Sequence, residues 1–511
     1  MNLYKTAAVV TIFTAFEHLL GFLYRIILSR ALGSEGLGVY QVALTVFAVF
    51  LTACSSGLPI TLSRIISKHR ARGYRRGEQA ATSAALIISL MFSVPVTILL
   101  FALRTPFSRI FSDPRCADLF YILIFGLSVT SLYAIIRGCF WGNKRFFAYS
   151  LIELIEEIVM IIVGVVLIVF VSTGVSDVNK AAIAVLVSYL CSFTLAAIYF
   201  FMKGGKLCSP RGEFLPMLKS SLPITAMRTS SSLVSSLISV LFPMRLMAAG
   251  VSSSRAMSEY GIVYGMVMPV ISIPGTLIGS LALVLTPELS ECFYKKETKK
   301  LSALVSKALC TTLLVSCLLI PFFIACGEGV GVLLYGNAES GRLIARSALI
   351  LIPMSLTMIS TSILNSLGCE KQTLLFFLLG SAAMLVSVWL LPKYLGSGAL
   401  LVGMASDYLL TAVCSLTLLA KKTGKLKIFG YILRLLGVAL PACILSLLIR
   451  VLCMRVMSFL PALLVTALAV GLIELALLPL LKLVSYRALC KKFFARRRKI
   501  TKKPTELPVL P

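Results

Sequence analysis

Apolar runs of about twenty residues recur along nearly the whole chain, and the short stretches between them hold most of the charge. The runs fall near 6–28, 38–62, 80–103, 118–140, 147–171, 181–202, 220–244, 260–285, 303–326, 344–367, 374–392, 399–420, 429–450 and 459–481. A helix rises 1.5 Å per residue, so about 20 apolar residues cross a bilayer core. Each run therefore predicts one membrane-crossing helix, about fourteen in all. The longest breaks, 63–79, 203–219, 292–301 and 327–343, are too short to hold a soluble domain. Lys5 followed by an apolar run has the look of a secretory leader. No small-x-small cleavage site follows and the run continues into Arg25 and Arg30, so a retained first helix is expected.

Composition agrees with this pattern. Of 511 residues, 59% are hydrophobic and 14% charged, against about 25% charged in ordinary soluble domains. The net charge of +29 would suggest nucleic acid in a soluble protein. Here the basic residues collect in alternate loops: Arg64 to Arg76, Arg137 to Arg145, Lys203 to Lys219, Lys295 to Lys300, Lys421 to Lys427, and a tail from Arg487 to Lys503. With the N-terminus inside, about 32 basic residues lie on the inner side against about 12 outside. A multi-pass protein of the cell membrane with both termini cytoplasmic is expected, with no nucleic-acid partner. The tail Lys491-Lys492-Phe493-Phe494-Ala495-Arg496-Arg497-Arg498-Lys499 suits the anionic lipids of the inner leaflet.

The chain echoes itself. Pro59 and Pro287 each precede a Leu-Ser and a basic loop; Pro95 and Pro321, and Gly142 and Gly368, recur in one register. Parallel repeats of this kind suit transporters with a cavity between two halves. The expected organisation is an all-α polytopic membrane protein of two parallel six-helix lobes, 1–202 and 220–420. An inner linker, 203–219, joins them; two additional helices, 421–486, and a basic tail, 487–511, follow.

With these pieces laid out, the chain resembles the multidrug/oligosaccharidyl-lipid/polysaccharide exporter superfamily. Within it, the likeness is to the polysaccharide-transporter branch, to which sporulation and peptidoglycan-precursor flippases belong. Its clearest segments are Gly21-Phe22-Leu23-Tyr24-Arg25, Leu32-Gly33-Ser34-Glu35-Gly36-Leu37-Gly38-Val39-Tyr40-Gln41, Ser56-Gly57-Leu58-Pro59-Ile60, Arg137-Gly138-Cys139-Phe140-Trp141-Gly142 and Ser221-Leu222-Pro223-Ile224. In that branch the fifth helix opens with a Glu-Gln pair and an Arg three residues on; here Glu156-Glu157 is followed by Met160. The resemblance implies a flippase for a polyprenyl-diphosphate-linked oligosaccharide or peptidoglycan precursor, working by alternating access as a monomer. A cation-coupled multidrug antiporter is the alternative within the superfamily. A membrane glycosyltransferase would want carboxylates on a sizeable outer loop, where only Asp113 and Asp118 stand.

Ionisable residues at helix centres cost about 2.5–3.5 kcal/mol on insertion scales, so each needs a reason. Glu17 and His18 lie about 15 Å from either end of the first run; they face a wet cavity or make an inter-helix bond. Glu153, Glu156 and Glu157 share neighbouring faces of the fifth run. They form an ion-coupling site, for H+ or Na+ if not the membrane potential alone, or they pair with an arginine of another helix. Arg25 and Arg228 could hold a diphosphate through forked hydrogen bonds, so the candidate cavity residues are Arg25, His18, Glu17 and Arg228. Arg64 and Arg137 sit at inner helix ends, where topology alone or an inner gate accounts for them. Asp407 and Glu474 are also deep, with no role assigned. The 14 cysteines form no CxxC pair, and His18 and His69 are the two histidines, so no metal or cofactor is expected.

Overall fold

The computed structural model describes residues 3–480 apart from 173, 211 and 425–428. The basic tail, Arg211, Lys425 and Lys427 lie outside the described residues. In chain order the helices are α1 (Leu3–Ser55), α2 (Leu58–Ala71), α3 (Arg75–Ala102), α4 (Arg104–Ser108), α5 (Pro114–Phe125), α6 (Leu127–Gly142), α7 (Phe146–Phe170) and α8 (Asp177–Met202). Next come α9 (Phe214–Ala248), α10 (Ser253–Tyr260), a π-helical stretch (Gly261–Val267), α11 (Met268–Ile271), α12 (Ile273–Tyr294) and α13 (Thr298–Tyr335). The chain continues through α14 (Ala338–Ser347), α15 (Leu351–Ser366), α16 (Glu370–Leu390), α17 (Pro392–Leu395), α18 (Gly398–Thr423), α19 (Phe429–Val456) and α20 (Phe459–Leu480). No strand occurs among the described residues.

Ten helical stretches are long and apolar enough to cross a membrane, or up to twelve if each bent pair is one span. The bends are 49° between α5 and α6 and 48° between Ser253–Ile271 and Ile273–Ala282. Two features separate this from the expected fourteen. The stretch Ile12–Ala71 counts once, although Gly33 breaks it with φ 68° and ψ −178°. That positive φ is a conformation glycine adopts at no steric cost, so the first two apolar runs join without a loop. The helix α7 is strongly apolar, but every membrane-length window of it contains Glu153, Glu156 and Glu157, three charges where the other spans hold at most two.

The chain divides into two compact units. The first holds Met1–Val270, Leu334–Gly336 and Ser381–Met404; the second holds Ile271–Leu333, Asn337–Gly380 and Ala405–Pro511. This division does not follow the boundaries of the expected lobes. In lipid, apolar surface gains little from touching other apolar surface, so packing rests on small residues that let backbones approach. The first unit uses this throughout. A Cβ on Gly138 would sit 2.6 Å from Pro59 Cα, and one on Gly142 would sit 2.8 Å from Ile66 Cβ, which binds α6 tightly to α2. Ala81, Ala84, Ala85 and Ser89 line the buried face of α3, and Leu62, Ile66, Ile88 and Phe140 complete that core. The linker is docked on this unit: Cys208 N donates to Ser83 Oγ at 2.9 Å, and His69 Nε2 meets Glu213 Oε1 at 2.8 Å.

The second unit packs α12, α13 and α15 around Leu289, Val305, Leu309, Ile359 and Ile363. Buried hydroxyls stitch it, with Ser316 and Ser355 at 2.7 Å and Thr357 Oγ1 donating to Tyr408 O at 2.8 Å. The last two helices rest on α13: Leu435 packs with Leu313 and Cys317, and Val470 with Ala325 and Cys326. Arg450 of α19 makes an ion pair with Glu328 of α13.

The orientation has a direct check. Tyr74 is 53% exposed in the α2–α3 turn, and Asp177 opens α8 with its carboxylate half exposed. On a cysteine-free background, an impermeant thiol reagent added to intact cells should label Asp177→Cys and spare Tyr74→Cys. Labelling of Tyr74→Cys would invert the assignment.

Candidate functional site

The polar residues of the first unit converge on the packing of α1, α6, α7 and α8. Arg137 reaches from α6 to α7, with Nη1 3.1 Å from Glu153 Oε1. Its guanidinium also lies over the Trp141 ring, 5.2 Å from the centroid, one turn along the same helix. Tyr149, one turn before Glu153, lies against the same carboxylate. The arginine's Nε is buried without a hydrogen bond. An arginine inside hydrocarbon is tolerable only with such partners, and here they come from one carboxylate and two aromatic rings.

Glu156 and Glu157 are placed differently. Glu156 lies beside Ser192 of α8, and its Oε2 is buried with no partner. Glu157 packs on α1, where a Cβ on Gly21 would sit 2.9 Å from its Oε1. Arg25, one turn further along α1, acts on Glu157 electrostatically. Glu17 is within the electrostatic reach of Glu153, Glu157 and Arg137. The cluster thus holds four carboxylates (Glu17, Glu153, Glu156, Glu157) and two guanidiniums (Arg25, Arg137), a formal charge of −4 + 2 = −2. Tyr24, Tyr133 and Ser150 add buried hydroxyls without hydrogen-bond partners.

Residues assigned from the sequence to three different roles therefore meet at one place: Glu17 and Arg25 from the cavity set, the α7 acids from the coupling set, and Arg137 from the gate pair. His18 and Arg64 are exposed and stand outside this cluster. Arg228 is exposed on α9, and no contact joins it to the cluster. Arg25 and Arg228 make no hydrogen bond or ion pair among the described residues. Of the supporting residues, Trp141 stands in the segment Arg137 to Gly142 noted from the sequence, without a role assigned, and Tyr149 and Ser192 were not singled out. The spacings of four from Tyr149 to Glu153 and from Arg137 to Trp141 are the signal for two of them. In the second unit, Asp407 lies 3.4 Å from Thr411 Oγ1 and fills the space a side chain at Gly380 would take. Glu474 is 8% exposed, and one of its oxygens has no partner. No group of three metal-ligating side chains occurs among the described residues.

The bent, glycine-broken helices and the charged bundle interior describe a multi-pass membrane protein of transporter architecture. Residues 3–293 match the polysaccharide biosynthesis protein family, and the chain belongs to that family. Among curated relatives, stage V sporulation protein B of Bacillus subtilis (strain 168) is 25% identical over 298 residues, covering 55% of this chain and 56% of that protein. Sporulation protein YkvU of the same organism is 23% identical, covering 57% and 65%. The chain spans between about half and two thirds of the length of these two relatives. The lipid II flippase MurJ of that organism is 20% identical over 459 residues, covering 83% of each chain. The fold is shared with solved structures at low identity. An inward-facing multidrug resistance MATE family transporter of the MOP superfamily superposes with a TM-score of 0.67 at 16% identity, covering 81% of this chain and 96% of that one. A Pyrococcus furiosus MOP superfamily transporter, described as having a binding pocket of reversed polarity, superposes with a TM-score of 0.59 at 17% identity, covering 82% and 94%.

The Arg137–Glu153 pair can be weighed by a double-mutant cycle. Removing one partner strands the other charge in the bundle, which costs about 3 kcal/mol, toward the low end for buried pairs because Arg137 keeps 31% of its side-chain exposure. Arg137→Met and Glu153→Leu should each lower the melting temperature of the purified protein, and the double variant should melt above both. Strictly additive losses would show that the two charges are not coupled.

Proposed function

We propose that this chain is a flippase that carries an anionic, lipid-linked glycan across the cell membrane. The observation that carries the reading is the pair of unpartnered, exposed arginines, Arg25 on α1 and Arg228 on α9. Both stand in helical stretches that are long and apolar enough overall to cross a membrane. A free guanidinium there is costly unless it serves an anion. The fork of an arginine suits a diphosphate, whose oxygens accept two parallel hydrogen bonds. Moving a charged sugar head through hydrocarbon unaided is prohibitive, so a polar passage with arginines in it is what such cargo requires. Family membership over residues 3–293 and the flippase named among the relatives support transport, not catalysis, as the activity. In this reading both termini are cytoplasmic, the two six-helix lobes alternate access around the cavity, His18 lines it, and Arg64 belongs to its inner gate. The added pair α19–α20 offers the lipid tail a groove, and the basic tail binds anionic lipid.

The carboxylates add coupling to this reading. Glu153 is neutralised by Arg137, which leaves Glu156 and Glu157 as the site for H+ or Na+. Glu156→Gln or Glu157→Gln should change the pH or sodium dependence of transport in proteoliposomes while expression stays normal. An unchanged ion profile in both variants would make these acids structural.

A second reading has one observation in its favour. The excess of carboxylates over guanidiniums in the first-unit cluster, four against two, suits a cationic cargo, as in a drug antiporter. Binding to the purified protein separates the two. A polyprenyl diphosphate sugar should bind, and Arg228→Ala should weaken it roughly 30- to 150-fold, the loss of a charged contact of about 2–3 kcal/mol. Arg228→Lys should recover only part of this, because lysine lacks the fork. Equal affinity for the lipid monophosphate, or undiminished binding by Arg228→Ala, removes the arginine from the substrate site. Preferential binding of an organic cation would favour the antiporter.

A further inference from the structure

The end of the first unit opposite the α2–α3 turn holds a second polar assembly that neither substrate nor ion coupling uses. It joins three segments remote in sequence: the α1 break at residues 33–38, the start of α5, and the start of α10. Alternation along the chain puts all three at the same end, since each lies one helix pass away from a basic loop. Arg115 is the centre. Its Nη2 pairs with Glu35 and lies 2.8 Å from Asp113 Oδ2, and its Nε lies 3.1 Å from Asp113 Oδ1. Both carboxylates then reach α10: Ser254 Oγ donates to Glu35 Oε2 at 2.6 Å, and Ser253 Oγ donates to Asp113 Oδ2 at 3.2 Å. Asp113 is 3% exposed and also caps α5. Burial pushes its pKa up, but the hydrogen bonds from Arg115 and Ser253 outweigh this and hold it below the ordinary carboxylate value, so it is charged at neutral pH.

Below this clamp the backbones touch. A Cβ at Gly38 would collide with Met257 O, and one at Gly261 would collide with Ser34 O. Ser34 Oγ and Ser258 Oγ are 2.6 Å apart across the same seam. Two helices in backbone contact form a tight closure, yet the groups that hold this one at its rim are charges and hydroxyls. Arg115 and Glu35 keep 47% and 35% of their side-chain exposure. Such a rim can exchange its partners for water at small cost, whereas a greasy seam of the same area has no aqueous alternative. Gly33, with its positive φ, breaks α1 next to Ser34 and two residues before Glu35.

We propose that the Glu35–Arg115–Asp113 clamp with Ser253 and Ser254 is an electrostatic latch that holds the α1–α10 seam shut and opens as a unit to expose the interior to that side of the membrane. The latch is independent of what the protein carries, so its test needs no cargo. On a cysteine-free background, Ser34→Cys with Ser258→Cys should form a disulfide under mild oxidation in native membranes. In Ser258→Cys alone, an impermeant thiol reagent should react slowly. Arg115→Ala should speed that labelling and slow the cross-linking, each about tenfold, the effect of losing one charged contact. Glu35→Gln should act in the same direction, and it reads the latch if the arginine variant does not fold. Raising salt from about 0.1 M to about 1 M should speed labelling with the latch intact and have no effect in Arg115→Ala, since only an exposed ion pair is screened. A merely packed seam would not respond to salt. Failure of the disulfide to form, or labelling rates indifferent to salt and to both variants, would overturn the latch and leave the flippase reading untouched.

Discussion

A charge surrounded by hydrocarbon must find a partner inside the protein, and this constraint shapes the first unit more than any other. The helices α1, α6, α7 and α8 carry at least six charged side chains where lipid offers no solvation. The pairing of Arg137 with Glu153 at 3.1 Å removes the cost of two of them at once. That pair also fixes the rotation of α6 relative to α7, which turns Glu156 toward α8 and Glu157 toward α1. Gly21 follows from the same arrangement, because any side chain there would enter the space of Glu157 Oε1.

The second requirement is close approach of backbones. Water does not drive these helices together; contact between small residues and shared hydroxyls does. Gly138 against Pro59 seals α6 to α2, and Gly57 N donates to Thr225 Oγ1 at 3.1 Å to bring α2 to α9. Gly38 and Gly261 do the same for α1 and the π-helical stretch. A contact of this kind is strong when closed, and a gap of about 0.5–1 Å already forfeits roughly a quarter to a half of its attraction, because dispersion falls steeply with distance.

Helix positions were legible in the sequence because the bilayer imposes a length on every apolar run. The breaks inside helices were not legible in the same way. Gly33 sits between two apolar runs and reads as part of a loop, yet the chain there changes direction within one residue. The bend after Phe125 falls at Gly126 and the bend after Ile271 lies between Pro269 and Pro274, but such residues do not by themselves announce a bend: Pro95 lies inside α3, which stays continuous. Among the charges, the shared face of Glu153, Glu156 and Glu157 could be read from spacings of three and four. Their partner could not, because Arg137 belongs to another helix and lies near a basic loop, where the topology rule already accounts for an arginine. Ser192 was invisible for a simpler reason: serine is ordinary in membrane helices until a carboxylate is known to face it, and Tyr149 shows only as a spacing of four from Glu153.

The arginines of this chain fall into two physical classes, and the difference bears on mechanism. Arg137 and Arg115 are each paired with a carboxylate in the structure. Arg25 and Arg228 are not, although both stand in membrane-length helices. Arg25 has Glu157 in electrostatic reach but no hydrogen-bonded partner, so an arriving anion would meet donors that need not first be freed. It would also compete with Glu157 for the same positive charge. Uptake of a proton or a sodium ion at Glu157 would relieve that competition and strengthen the hold of Arg25 on the anion, whereas loss of the ion would weaken it. By linkage the anion must raise the affinity for the cation by the same factor. In the proposed function, cargo and coupling ion would need no separate route of communication, because Glu157 on α7 and Arg25 on α1 would serve both.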